Sequence, residues 1–221
     1  FVTSILNHRI ENAIATHEKE YRDYLTRAYN RRGFVYMVER FLNHCEDRTR
    51  YGILYFNIKN FKATNELLGV KEGDCILQSF CKSIERSFLH PVYTARVEAD
   101  HFVSFVERDR ISLKKLEEFC NQTFEIYNKK IRVHSCCGIF YLKDENMPVA
   151  GMVDRAKLAK QHIVDEYLKP YAVFDQKMEM EYIDKAEIAA AFEEAIVNEE
   201  LEVYYQPIVD PVTGRIMSAE A

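Results

Sequence analysis

Two groups of residues in this chain could do chemistry: a scatter of thiols, and a few polar side chains at one turn. The six cysteines are Cys45, Cys75, Cys81, Cys120, Cys136 and Cys137, and their chemistry would be disulfide formation or zinc binding. Neither fits the spacing. No two stand as Cys-x-x-Cys, the arrangement zinc sites favour, and several sit inside apolar runs such as Cys75-Ile-Leu77. In a chain of this size with no leader-like opening, such cysteines read as reduced thiols acting as small hydrophobes. The expected compartment is therefore reducing, the cytoplasm. The second group is Glu98-Ala-Asp-His101, with Ala99-Asp100-His101 reading as a tight turn between two strands.

Composition narrows the partners. With 221 residues, 48% hydrophobic and 29% charged, and only 7 Gly and 5 Pro, the chain is not disordered, collagen-like or low-complexity. Its 30 basic and 35 acidic residues leave a net charge of −5 and no basic stripe, which argues against nucleic-acid binding. Catalysis on a nucleotide stays open, because it needs only a local site. No apolar run is long enough to span a bilayer, so no membrane contact is expected. Phe1 opens the chain and Ala221 falls in mid-pattern, so a piece of a longer protein is expected.

The elements that must position the turn follow from periodicity. Residues 1–29 read as one long helix, with Ile10, Ile14, Tyr21 and Tyr24 on an apolar stripe that calls for pairing with a second copy. Asn30 ends it, and Gly33 opens a second helix to about Cys45. Residues 51–58 form an apolar run of strand length, followed by helical stretches at 60–67 and 72–88. Strands at 92–98 and 102–107 flank the turn. Helix 111–128, strand 131–142, helix 149–167 and a short strand at 171–174 complete the block. Strands alternating with helices, plus a hairpin, imply an α/β (α+β) fold: a mixed, mostly antiparallel five-stranded sheet with helices on both faces. Residues 176–200 read as a charged linker helix, and 201–221 as a hairpin around Pro211-Val-Thr-Gly214.

Four segments now resemble one family, the GGDEF domains, which are diguanylate cyclases. Asp23-Tyr-Leu-Thr-Arg-Ala-Tyr-Asn-Arg-Arg-Gly-Phe34 is similar to that family's D-x-L-T-x-L-x-N-R-R-x-F opening. Asn57-Ile-Lys-Asn-Phe-Lys-Ala-Thr-Asn-Glu66 is similar to D-I-D-x-F-K-x-I-N-D, Gly73-Asp74 matches the G-D that follows, and Arg96-Val-Glu-Ala-Asp-His-Phe102 falls at R-x-G-G-D-E-F. The resemblance covers about residues 20–175 and implies a nucleotide-cyclase-like fold. In active members, carboxylates at the first strand and in the hairpin hold two Mg²⁺ ions on GTP, and the metals help one 3′-hydroxyl attack the α-phosphate of a second GTP.

This sequence departs from the pattern where that chemistry would sit. Asn57, neutral, stands at the first-strand carboxylate. Asp100 keeps the motif's third position as a weak metal ligand, but His101 takes the fourth, ahead of Phe102. Glu98 and Ala99 replace two glycines that let the backbone approach the phosphates. A carboxylate about 4 Å from a phosphate charge costs roughly 1 kcal/mol in water and about 4 at an effective dielectric of 20. The motif positions Glu98 to Phe102 are thus degenerate, and no intact catalytic set is expected. The resemblance places Asn65 and Asp74 at the guanine edge, where an amide offers donor and acceptor and a carboxylate accepts from the base N–H groups. Lys62 matches a basic position of the same segment. The competing structural role is that Asn65 caps or bends the chain and Asp74 starts helix 74–88.

The tail resembles the start of an EAL domain, a (β/α)₈-barrel phosphodiesterase of cyclic di-GMP. Leu201-Glu-Val-Tyr-Tyr-Gln-Pro-Ile-Val-Asp210 and Ser218-Ala-Glu-Ala221 carry it, with Glu220 on a metal-ligand glutamate and Gln206 on a cleft position. A barrel needs roughly 250 residues, so Glu220 can act only in a complete EAL domain. The expected function is a catalytically inactive, regulatory GGDEF-like domain in a bacterial GGDEF–EAL protein. It would form a homodimer through the N-terminal helix, act on an EAL domain in cis, require no cofactor, and take GTP with Mg²⁺ only as an optional ligand. The alternatives are a weak diguanylate cyclase and a vestigial scaffold without a ligand.

Overall fold

The computed structural model describes residues 20–143, 146–200 and 202–220. The chain divides into a compact unit ending at Met178 and a second beginning at Glu179.

The first unit is built around β1 (Tyr51–Ile58), whose side chains are all buried. Its run Tyr-Gly-Ile-Leu-Tyr-Phe-Asn-Ile is apolar almost throughout, the composition of a strand covered on both faces. Antiparallel neighbours flank it: β3 (His101–Glu107) on one side and β5 (Lys129–Tyr141) on the other. The hairpin partner of β3 is β2 (Tyr93–Glu98), while β6 (Tyr171–Val173) runs parallel to the later part of β5. The sheet has the order β2-β3-β1-β5-β4, with β6 also on β5.

Alternation along β1 separates two cores. Leu54, Phe56 and Ile58 join Phe102 of β3 and Ile76, Leu77, Phe80 and Ile84 of one helix, α3 (Val70–Glu85). Tyr51, Ile53 and Tyr55 join Phe34, Val38 and Leu42 of α1 (Arg31–Leu42), together with Met152, Val153 and Ala156 of a later helix, α5 (Val149–Gln161). Each large side chain taken out of water here contributes about 1.5–3 kcal/mol. Between β1 and α3 lies α2 (Phe61–Leu68), set off from α3 by Gly69. The mixed sheet with helices on both faces is thus present.

Three expectations need correcting. The helix expected at 111–128 breaks: α4 (Leu113–Phe119) ends, and β4 (Asn121–Ile126) pairs with β5 instead. Gln122, Phe124 and Ile126 are the less exposed positions of β4, a period-2 pattern that outweighs helix propensity. The sheet therefore has six strands. The helix expected at 149–167 stops at Gln161, with the Asp165 carboxylate accepting from the Tyr167 and Leu168 amides in the turn beyond.

The third correction concerns the leading helix. Residues 1–19, with Ile10 and Ile14, lie outside the described residues, and the chain is not helical from Arg22 to Tyr29. The Asp23 carboxylate accepts from the Thr26 amide at 2.8 Å, Arg27 takes a φ of 63°, and Tyr29 bridges to Ala95. Tyr24, expected on the buried stripe, is 82% exposed. Asn30 does not end a helix but begins one: its side chain accepts from the Gly33 amide and caps α1, which opens at Arg31 rather than Gly33.

All six cysteines are free thiols, four of them buried. No described helix is long and apolar enough to cross a membrane. After α6 (Gln176–Val197), β7 (Gln206–Val209) and β8 (Ile216–Glu220) pair as the expected hairpin, with every side chain exposed.

Candidate functional site

Asn57 is the next-to-last residue of β1 and pairs across the ladder with His101, the first of β3. The turn before His101 is Ala99-Asp100. Ala99 holds a left-handed φ of 36°, a conformation that costs a residue with a Cβ and suits glycine. Arg96 secures the turn from below, with Nε donating to the Ala99 carbonyl at 2.6 Å and Nη1 lying 3.3 Å from the Asp23 carboxylate. The hairpin has an irregular register between Arg96 and Glu98, next to the turn.

The polar groups gathered there satisfy one another. The Asn57 amide donates to Asp100 Oδ2 at 2.7 Å, and the Ile58 amide donates to the Asp100 carbonyl at 3.3 Å. Tyr55 and His101 are diagonal neighbours on one face of the β1–β3 pair, and the Tyr55 hydroxyl lies 3.0 Å from His101 Nδ1. Burial pushes the Tyr55 pKa up, so the phenol keeps its proton and can donate it to Nδ1. That leaves the Nε2–H turned toward Asp100 Oδ1, 4.0 Å away. Burial holds the His101 pKa below 6.5, with the Asp100 charge working against it, so the ring is neutral at pH 7. Glu98 stands outside this network, its side chain 62% exposed and one oxygen 3.9 Å from His101.

A divalent metal does not fit these residues. Two carboxylates facing one another at 2.7 Å would need a shared proton or a cation between them; an amide donating to a carboxylate needs neither. Asn57 turns its nitrogen, not its oxygen, toward Asp100, and a ligand for Mg²⁺ must present oxygen. No group of three His, Cys, Asp or Glu side chains able to hold a metal occurs among the described residues.

The other face of the sheet carries the second set of candidates. Asn65 lies in α2, and its Oδ1 is buried without a hydrogen-bond partner among the described residues. It rests against Gly73 of α3, where a Cβ would overlap that oxygen, so the glycine is what admits the Asn65 side chain. Asp74 is the next residue. It lies a full turn inside α3, which begins at Val70, so it does not start the helix, and Asn65 caps nothing with its side chain. Lys62 is exposed on α2, one turn before Asn65. The fold therefore brings Asn65 and Gly73-Asp74 together and leaves Lys62 at the rim. Phe102 belongs to the core, fully buried. Glu220 ends β8 opposite Gln206, both exposed.

One pair of residues was not singled out from the sequence. Lys59, just beyond β1, makes an ion pair with Glu166, and Lys160 near the end of α5 is half-buried close by. Burial lowers the Lys160 pKa, and the like charge of Lys59 lowers it further. The sequence held a signal for Lys59: it stands where the D-I-D pattern has its second aspartate.

Comparison with known proteins supplies the family. A model of the diguanylate cyclase GGDEF domain matches residues 20–162. The bifunctional diguanylate cyclase/cyclic di-GMP phosphodiesterase MucR of Pseudomonas aeruginosa is 24% identical, over 79% of this chain and 26% of its own length. The cyclic di-GMP phosphodiesterase PdeR of Escherichia coli is 23% identical, over 90% of this chain and 31% of its own. The chain thus spans no more than about a third of these relatives. Among solved structures, the coiled coil and GGDEF domain of DgcB from Caulobacter crescentus, in complex with c-di-GMP, is similar with a TM-score of 0.63. That likeness, at 18% identity over 78% of this chain and 95% of the other, concerns the fold.

Proposed function

This chain belongs to the GGDEF domain family of cyclic di-GMP signalling proteins, and from that premise we propose that it is a catalytically inactive, regulatory member. The observation that carries the reading is the 2.7 Å hydrogen bond from the Asn57 amide to Asp100. It joins β1 to the hairpin turn with a neutral donor where a cyclase needs anionic ligands around a cation. Ala99 and Glu98 put side chains where the turn would have to meet phosphates.

Nucleotide binding is a separate matter, and the Asn65 oxygen supports it. A buried acceptor with no partner costs about 1–3 kcal/mol, and an N–H on the edge of a guanine would satisfy it. Asp74 beside it could accept from the remaining base N–H groups. On this reading the domain takes GTP as a ligand and does not consume it. Its output would pass in cis to an EAL phosphodiesterase domain, of which the hairpin β7–β8 and Glu220 are the opening. Its input would come through a homodimer formed by the segment before residue 20.

The test is a product assay. Incubated with GTP and either Mg²⁺ or Mn²⁺, the chain should form no detectable cyclic di-GMP, and Asn57→Asp alone should not change that, since Glu98 and Ala99 remain. Clear product from the unmodified chain would overturn the reading in favour of a weak cyclase.

A further inference from the structure

One loop touches both regions in which the candidate residues lie. Residues 22–29 fold back on themselves: the Asp23 amide donates to the Ala28 carbonyl and the Arg27 amide to the Asp23 carbonyl, each at 2.9 Å. On one side the Asp23 carboxylate lies 3.3 Å from Arg96, which also donates to the Ala99 carbonyl of the hairpin turn. On the other side the Gln78 side-chain amide of α3 donates to the Leu25 carbonyl at 3.0 Å. Leu25 and Ala28 belong to the core that Leu77 and Phe80 of the same helix help to form. The chain enters this loop from Glu20, whose carbonyl accepts from the Asn30 side chain at 2.9 Å. Gln78 stands one helical turn beyond Asp74, so both lie on the same face of α3. Asn65 and Asp74 belong to different helices, joined at Gly69, whose φ of 105° suits only a glycine. The base site thus spans a joint, whereas Asp74 and Gln78 ride on one helix. A ligand bonded to both Asn65 and Asp74 would fix α3 against α2, and the same face of α3 carries the bond to Leu25.

We propose that Gln78 is a positioning residue that ties the base site to the loop 22–29, so that a bound guanine nucleotide tightens the loop through which the chain enters the domain. The inference rests on the reading above that Asn65 and Asp74 take a guanine base, and it names how that site is regulated. Coupling of this kind is reciprocal. Whatever loosens the loop from outside weakens the base site by the same factor by which the base tightens the loop. The input segment then controls ligand affinity without touching the ligand.

The experiment measures amide hydrogen exchange of the whole chain with and without GTP, alongside calorimetry for binding. The reporters are the Asp23, Thr26 and Arg27 amides, whose acceptors all lie within the loop. GTP should slow their exchange by about two- to tenfold, the worth of one neutral hydrogen bond. Gln78→Ala should lose that slowing and bind GTP more weakly by a similar factor. Gln78→Lys, whose ammonium can also donate to the Leu25 carbonyl, should restore both. A purely structural Gln78 would leave the GTP-induced slowing in place in Gln78→Ala, and that result would overturn the proposal. So would calorimetric binding of GTP with no change at the three amides of the unmodified chain. No binding at all would bring down the base-site reading, and this inference with it. Should Gln78→Ala not fold, Gln78→Lys and the exchange of the unmodified chain still decide it.

Discussion

At the end of β1, Asn57, Asp100, Tyr55 and His101 find their partners in one another. Across the sheet, between α2 and α3, Asn65 keeps a buried oxygen that no group among the described residues satisfies, and Gly73 makes the room for it. The two regions carry residues of the same family pattern, yet one has closed on itself and the other keeps an unpartnered acceptor among the described residues. On the proposed reading, an amide in place of an aspartate turns a repelling pair into a hydrogen bond at one region and leaves the other able to take a base.

The strongest way to break this contrast is Asn57→Asp. It sets a second carboxylate against Asp100 in a half-buried setting, where like charges at such range cost about 2–4 kcal/mol. Urea denaturation at pH 8 should show that loss. The paired carboxylates hold a proton more tightly when folded than when unfolded, so stability should recover as the pH falls. No change at pH 8 would mean that the amide–carboxylate bond does not hold the turn.

Gly73→Ala attacks the other region. The new methyl must displace the Asn65 side chain, at a cost of about 1–3 kcal/mol, and GTP binding should go with it. Retained GTP affinity in a folded Gly73→Ala would show that the Asn65 oxygen is not part of a base site. Smaller again is Asp74→Ala, which should leave thermal stability almost unchanged. It should remove a preference for GTP over ATP of roughly tenfold, which corresponds to about 1.4 kcal/mol. Equal binding of the two nucleotides by the unmodified chain would contradict the edge-reading role.

The smallest effect concerns His101. Its folded pKa is held below 6.5 by burial, so the unfolded chain takes up the proton first. The stability due to the neutral ring is complete above that pH and is lost as the pH drops below it. Denaturation midpoints measured stepwise downward from pH 7 should fall less in His101→Gln than in the unmodified chain. A parallel fall in both would place the pH dependence elsewhere.

Much of this was legible in the residues. The apolar run at 51–58 demanded a strand covered on both faces, and β1 is one. The Ala99-Asp100-His101 turn is where the spacing put it, because alternating β-branched and aromatic residues on both sides leave little else. Less legible was anything that depended on pairing at a distance. β4 looked helical because its Gln122, Phe124 and Ile126 alternation is short and polar, and only β5 gives it a reason to extend. The stretch from Arg22 to Tyr29 looked helical because Tyr21 and Tyr24 fit a three-residue step. The Asp23 turn and the bridge from Tyr29 to Ala95 override that periodicity. At the site, the identity of Asn57 was plain but its partner was not, since the hydrogen bond spans 43 positions of sequence. Lys59 and Glu166 were unremarkable as letters and acquire meaning only when the fold pairs them.

The central claim is the proposal that the polar cluster at the end of β1 does no chemistry while Asn65 and Asp74, across the sheet, take a base. Its most direct test is to titrate the chain with GTP in Mg²⁺ by calorimetry and then recover the nucleotide from the same cell by chromatography. The account predicts saturable heat and GTP recovered unchanged. Recovery of cyclic di-GMP, or a titration with no heat of binding, would contradict it.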